Sequence, residues 1–467
     1  MSASVADILT QVWTDAGGAR DALANVTLTG QEPALPSSWR VGAVAQASIA
    51  ASALAAAEIW RQRTGAPQSV SVDMRHAAVE FRAERHMRVH GKPPGPAWDK
   101  IAGVYKTRDD RRVRIHTNFP HHRDGFLRLL ACENDRQAVQ AALLKWDGAH
   151  FENTAALAGM PCTMMRSLDE WAAHPQAQAV AQLPLIEIER IGEAPPRRMS
   201  RDAERPLSEV RVLDLTRVIA GPVAGRTLAA HGADVMRVTG PHLPALPMLD
   251  MDTGRGKLSV SLDLRSPEEC ERLATLLREG QVIINGYRPG ALDRFGFSAQ
   301  ACAEMKPGIV VGTLSAFGRA GPWASRRGFD SLVQNACGLN VAEAEALGVE
   351  PPKELPAQAL DHAAGYLLAT GIMLALARKA ETGGSWHVRV SLARTAHWLM
   401  QLGRLENGFS GPDPKQDQIA DLLAEMDTPQ GRLTYVTHAG ILSDTPAHWS
   451  RPPVPLGASA PLWPIPF

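Results

Sequence analysis

Two aspartates carry the sharpest chemistry in this sequence of 467 residues. Asp361 opens the apolar run ALDHAAGYLLATGIMLALARK. At the start of a helix a carboxylate accepts unpaired N–H groups, so the plain reading is an N-cap. A functional reading is compatible with it, because the helix dipole steadies the charge and Ala363, Ala364 and Gly365 leave room for a ligand. Asp330 stands in RRGFDSLVQ, where Arg326 and Arg327 can pair with it or hold phosphates. The segment NGYRPGALDRFGF (285–297) sets Tyr287, Arg288 and Arg294 around a turn that follows a strand. Loops beyond the carboxyl ends of parallel strands are where ligands bind, although surface arginines on a turn give the same pattern. HTNFPHHRD holds His116, His121 and His122 without the further ligands a metal needs, so a solvated loop is expected. No GxGxxG, Walker A, HExxH or GxSxG pattern occurs.

The elements that must position these residues alternate between strand and helix. VRVLDL (210–215), ADVMRV (233–238), KLSVSLDL (257–264), QVIIN (281–285) and GIVVGTLS (308–315) read as strands. PVAGRTLAAHG reads as a helix with Pro222 at its start. SPEECERLATLLREG (266–280) reads as a helix with a capping box from Ser266 and Glu269, stopped by Gly280. This order predicts a parallel sheet covered by helices. In the first 200 residues, 48–63 is helical, SVSVDM (69–74) is a strand, 103–117 is a hairpin and 167–182 is one capped helix. Residues 191–209 are polar, charged and Pro-containing, as in a linker.

A repeat links the halves. Residues 41–81 align without gaps on 359–399 at an offset of 318, sharing a small-residue helix, a Thr-Gly stop, a V-x-V strand and a second helix. Asp361 falls on Ala43, so a reactive carboxylate exists only in the second copy.

Composition narrows the class. Lys plus Arg and Asp plus Glu are 49 each, which argues against broad binding to nucleic acid or anionic membrane. Five cysteines, at 132, 162, 270, 302 and 337, form no CxxC pair. A reducing compartment fits them better than a disulfide framework. With no basic-then-apolar leader pattern and no uncharged apolar window of ~18 residues, a cytoplasmic enzyme is expected.

VRVLDLTRVIAGPVAGRTLAAHGADVMRV resembles the opening of the class III coenzyme A transferases, the CaiB/BaiF type that includes formyl-CoA and carnitine CoA transferases and α-methylacyl-CoA racemase. The likeness continues through RGKLSVSLDL, RPGALDRFGF, RRGFDSLVQNACGL and the Asp361 helix, covering roughly 208–400. IAGVYKTRDDRRVRI resembles the family's small-domain hairpin, and TPQGRLTYVTHAGILSDTPAHW its C-terminal end. The resemblance implies an α/β fold with a Rossmann-like parallel-sheet large domain and a smaller α+β domain, built from two incomplete family copies. The implied divisions are an N-terminal helical segment (1–40), a first copy with the small domain (41–190), the linker (191–209), the CoA-binding catalytic domain (210–400) and a return segment (401–467).

By the same resemblance, Asp361 is the nucleophile of an acyl-CoA:carboxylate CoA-transferase working through aspartyl anhydride and aspartyl-CoA thioester intermediates. Asp330 is implied as an accessory catalytic carboxylate. Val218, Ala220, Lys257, Tyr287, Arg288, Arg294 and Arg327 fall on or beside positions lining the CoA site. Coenzyme A is implied as substrate and product thioester, with no metal, and a homodimer is expected. Departures exist. Ile219 replaces a Gln of formyl-type members, Gly286 replaces the usual Asn, and HGKPPGPAW (90–98) is the nearest match to a covering loop. SAFGRAGPWASRRGFD lacks the His base of the racemase branch. An acyl-CoA racemase and a non-catalytic CoA-binding protein are the alternatives.

Overall fold

The computed structural model describes residues 3–93 and 95–464. Among these residues the largest sheet has seven strands, in the spatial order Lys257–Ser261, Asp234–Thr239, Arg211–Leu215, Val282–Asn285, Val310–Ser315, Ser385–Ser391 and Glu187–Gly192. The first six are parallel and the last is antiparallel. Chain order runs one way to Arg211–Leu215 and reverses at Val282–Asn285, which pair in the register Val282 to Val212 and Asn285 to Leu215. That reversal is the switch point of a doubly wound sheet, and a crevice opens beyond the strand carboxyl ends there.

The sheet is buried on both faces because its strands are near-continuous β-branched and Leu runs. Val212, Val235, Val282, Ile284 and Val310 enter one core, while their neighbours Leu213, Met236, Ile283 and Val311 enter another. This is the period-two alternation of a strand. The first core holds two 24-residue helices, Val41–Thr64 and Ala359–Thr382. Both are long and apolar enough to span a bilayer, and both are buried within the protein. The helix–strand–helix repeat survives folding: the helix starts Val41 and Ala359, and again Met74 and Leu392, keep the offset of 318.

A smaller α+β unit has the antiparallel strands Gly103–Lys106, Arg112–Ile115 and Cys162–Met164. Helices Pro120–Leu130, Arg136–Leu143 and Gly148–Leu157 cover them around Ile101, Tyr105, Val113, Phe126 and Phe151. The C-terminal segment returns to both halves. Gly440–Leu442 pairs with Val70–Asp73, Gly431–Val436 pairs with Arg88–Val89, and the Trp463 indole donates to the Leu276 carbonyl at 3.0 Å.

Several expectations need correction. Strand Glu187–Gly192 crosses the 190/191 division, because its main chain completes the sheet edge beside Ser385–Ser391. Residues 1–40 also contain a strand, Val26–Thr29, paired with Val70–Asp73. The 167–182 stretch is two helices, Leu168–Ala172 and Pro175–Ala181, since Pro175 has no N–H to continue the first. Ser266 caps Pro267–Glu279 by position alone, without a side-chain hydrogen bond.

Candidate active site

Residues at or just past six strand ends, Leu215, Val238, Leu262, Gly286, Leu314 and Leu392, line one cavity of about 350 Å³. Asp361 opens onto it from the first turn of Ala359–Thr382. Gly365 seats that helix against Ala220–Ala230. A Cβ there would lie 2.6 Å from the Ala220 carbonyl and 2.8 Å from the Val223 side chain.

Asp361 is not the N-cap; Gln358 holds that position and makes no side-chain cap bond. The cap comes from Asp330, at the start of Asp330–Ala336. One Asp330 oxygen accepts the Leu360 N–H at 2.8 Å and the Asp361 N–H at 3.0 Å. The other accepts from the Gln334 amide, and Gln334 in turn accepts the Leu355 N–H at 3.0 Å. Asp330 is 1% exposed and lines no part of the cavity. The geometry makes it a positioning residue for the turn that carries Asp361. It does not pair with the neighbouring arginines: Arg326 donates to Asn153 at 2.6 Å, and Arg327 meets His122 at 3.1 Å.

Asp361 is 6% exposed, and among the described residues its carboxylate accepts no hydrogen bond. Burial pushes its pKa well above the usual carboxylate range, and the charges of Asp330 and Glu84 push it further. Burial also raises Asp330 to about 6, against its backbone and Gln334 hydrogen bonds. Glu84, from the short helix Ala83–His86, meets the His362 ring at 3.1 Å. Three acids thus crowd one helix turn, and among the described residues no cation offsets the effect of Asp330 and Glu84 on Asp361. Perturbed titratable groups in a crevice mark a functional site.

Of the positions named by resemblance, Val218, Ala220, Tyr287, Arg288, Arg294 and Arg327 line the same cavity as Asp361. Val218 holds φ at +75°, an outlier for a β-branched residue, on the loop between Arg211–Leu215 and Ala220–Ala230. The Tyr287 N–H donates to the Asn285 side chain at 2.9 Å, and burial pushes its phenol up to about 12. Gly286 suits a close approach, since a Cβ would come within 3.2 Å of the Thr216 side chain. Lys257 is a correction. Its ammonium is sealed between the Asp214 carboxylate at 2.6 Å and the Pro222 carbonyl at 2.7 Å, and it does not reach the cavity. A buried charge must be paired, and this pairing uses it up.

The small unit supplies residues not singled out for the site. Phe119, His121 and His122 reach the cavity beside Arg327 and Phe329. His116 stacks on Phe329 with ring centroids 3.9 Å apart. The solvated histidine loop is therefore corrected in part: His116 and His122 are buried, and burial lowers them to about 3 and about 2. Among the described residues of 90–98, none lines the cavity; Trp98 instead packs edge-on against His116 at 5.7 Å, and Pro94 lies outside the described residues. Six arginines and a single acid, Asp361, line the cavity among the described residues. Arg326, named in RRGFDSLVQ as a partner of Asp330 or a phosphate holder, is one of them; Arg217 and Arg265 were not singled out, and no sequence pattern marks them apart from ordinary surface arginines.

A family model described as CoA-transferase family III matches residues 15–195 and 207–425. An acetyl-coenzyme A transferase of Hypoxylon pulicicidum is 30% identical over 325 residues, covering 64% of this chain and 54% of that protein. A succinate–glutarate CoA-transferase of Agrobacterium fabrum is 30% identical over 227 residues, covering 45% and 56%. The chain spans about half the length of these curated relatives. A solved CAIB/BAIF family protein from Brucella suis aligns at 26% identity and a TM-score of 0.38, over 43% of this chain and 56% of that one.

Proposed function

We propose that this chain, which belongs to CoA-transferase family III, moves coenzyme A from an acyl-CoA to a carboxylic acid with Asp361 as nucleophile. The observation that carries the reading is the placement of one basic, hydrogen-bond-free carboxylate in a cavity otherwise lined by arginines and apolar strand ends. The arginines suit the phosphates of coenzyme A.

An Asp361 oxygen attacks the thioester carbonyl, the C–S bond breaks, and coenzyme A leaves as a thiolate from a mixed anhydride. The thiolate attacks the Asp361 carbonyl carbon, releasing the acyl group as a carboxylate and leaving an aspartyl-CoA thioester. An acceptor carboxylate then attacks that thioester and expels the thiolate. The thiolate attacks the acceptor carbonyl of the new anhydride, and free Asp361 returns. No net proton is gained or lost. Covalent division of this kind replaces one difficult exchange with easier steps. A raised pKa makes Asp361 a more basic nucleophile once ionised.

Two incomplete family copies joined in one chain are part of the same proposal. The shared offset of 318 and the reach of 119–122 to the Asp361 cavity support it. A homodimer remains part of the proposal, although the cavity is lined by both halves of a single chain.

A second reading, exchange of the substrate α-proton, is favoured by His121, an exposed histidine on the cavity wall. One experiment separates the two. The protein is mixed with a panel of acyl-CoA esters in deuterated buffer, and intact mass, borohydride trapping and peptide maps are recorded. A CoA-linked or reduced Asp361 peptide supports the transferase. Deuterium at the α-carbon without an adduct supports the proton-exchange reading and overturns the transferase.

A further inference from the structure

We infer that a second groove, on the far side of the arginine wall, is the route by which free carboxylates leave and reach Asp361; this rests on the transferase reading above. The groove is about 370 Å³ and lies between the end of helix Gly148–Leu157 and the 322–327 loop. Arg288, Arg326 and Arg327 line both it and the Asp361 cavity, so the two spaces share one wall. No acid lines the groove among the described residues.

The reaction demands such a route. Between the two halves of the exchange coenzyme A is bonded to Asp361 and fills the cavity through which it came. The first carboxylate must leave, and the second must enter, while coenzyme A stays in place. A separate opening solves this, and its chemistry must favour small anions over apolar groups.

The groove has that chemistry. One Arg326 nitrogen donates to Asn153, and another is buried without a partner. The Nε of Arg327 is likewise buried and unpartnered. The nearest buried acid behind Arg326, Glu152, is already neutralised by Arg166 at 2.6 Å. Two half-buried guanidinium groups with spare buried donors thus line both the groove and the cavity that holds Asp361, where they can pass an anion from one side to the other. At the mouth, Leu157 is 91% exposed and Ser325 is exposed, so both tolerate replacement.

The test uses an acyl-CoA that labels the Asp361 peptide, together with its own acid carrying carbon-13. Exchange of the labelled acid into the acyl-CoA measures carboxylate entry. Adduct formation from the acyl-CoA alone measures the donor half. In Leu157→Glu/Ser325→Glu the KM for the acid should rise roughly tenfold, and in Leu157→Lys/Ser325→Lys it should fall, because mouth charge steers an entering anion. The rate of adduct formation should stay within about twofold in both. An acid KM equal in all three proteins, or a donor half slowed by the same factor as the exchange, overturns the route and leaves the transferase reading intact. Failure of the unaltered protein to form any adduct overturns both.

Discussion

Replacing Asp361 by Asn should make the protein more stable as pH rises, while abolishing transfer. In the unfolded chain Asp361 ionises near its ordinary value of about 3.9. In the folded chain burial and the charges of Asp330 and Glu84 hold its proton to a much higher pH. Above about pH 4 the folded state therefore binds more protons than the unfolded state, and this group's contribution to stability falls as pH rises. The slope is about 1.4 kcal/mol per pH unit, continuing until the folded carboxyl also ionises. The amide of the variant does not titrate and loses nothing. From about pH 4.5 upward the stability of Asp361→Asn should gain steadily on the unaltered protein, for as long as the folded carboxyl keeps its proton. Urea unfolding at half-unit intervals measures the gap. A gap constant within about 0.5 kcal/mol means that Asp361 is solvated in the folded protein, and the argument fails. A cation paired with Asp361 would also leave the gap constant over this range, because the carboxyl would be ionised in both states. The same variant must lose transfer, because an amide cannot form the anhydride.

Three further outcomes follow from the same contacts. Asp330→Asn keeps one acceptor for the Leu360 and Asp361 N–H groups but removes a negative charge, so the acidic limb of the pH profile of kcat/KM should move to lower pH, at a stability loss of about 1 kcal/mol. Gly365→Val puts a branched side chain against Ala220 and Val223; thermal unfolding should show a loss of about 1–3 kcal/mol, and kcat should fall as the Asp361 turn shifts. Lys257→Met leaves Asp214 buried and unpaired, so stability should drop by about 3–5 kcal/mol, while the KM for acyl-CoA in the folded fraction stays unchanged. A specific rise in that KM would return Lys257 to the binding site.

The strands and long helices were legible because their patterns are local. VRVLDL and QVIIN are apolar at nearly every position that the sheet buries, Asp214 being the exception, and each formed a strand within a residue or two of its expected bounds. The Asp361 helix was legible for the same reason, and so was its twin at the offset of 318. What failed were statements about partners distant in sequence. Asp361 sits where an N-cap would be expected, yet the cap arrives from Asp330, 31 residues earlier in the chain. Lys257 has the charge of a phosphate ligand, but Asp214, 43 residues away in sequence and beside Gly225 of Ala220–Ala230 like Lys257 itself, takes it first. The His116 and His122 rings look solvated within HTNFPHHRD, and only the fold brings Phe329 and Arg327 against them. Glu84 carries no local signal at all. Its role exists only because Ala83–His86 packs beside His362.

The arginines and Asp361 divide the cavity between them in a way that bears on the proposed chemistry. An arginine close to Asp361 would lower its pKa and weaken it as a nucleophile. Six arginines line the cavity, yet the charges that act on Asp361 are the two carboxylates of Asp330 and Glu84. The cations are therefore placed to meet an incoming anion rather than to quiet the reacting one. Arg326 and Arg327 keep buried nitrogens without partners, and burial lowers the pKa of both. A phosphate or carboxylate that binds them relieves this desolvation. On the transferase reading proposed above, the binding energy would then be spent at the wall, away from the carbonyl, and Asp361 would meet the thioester with its basicity undiminished.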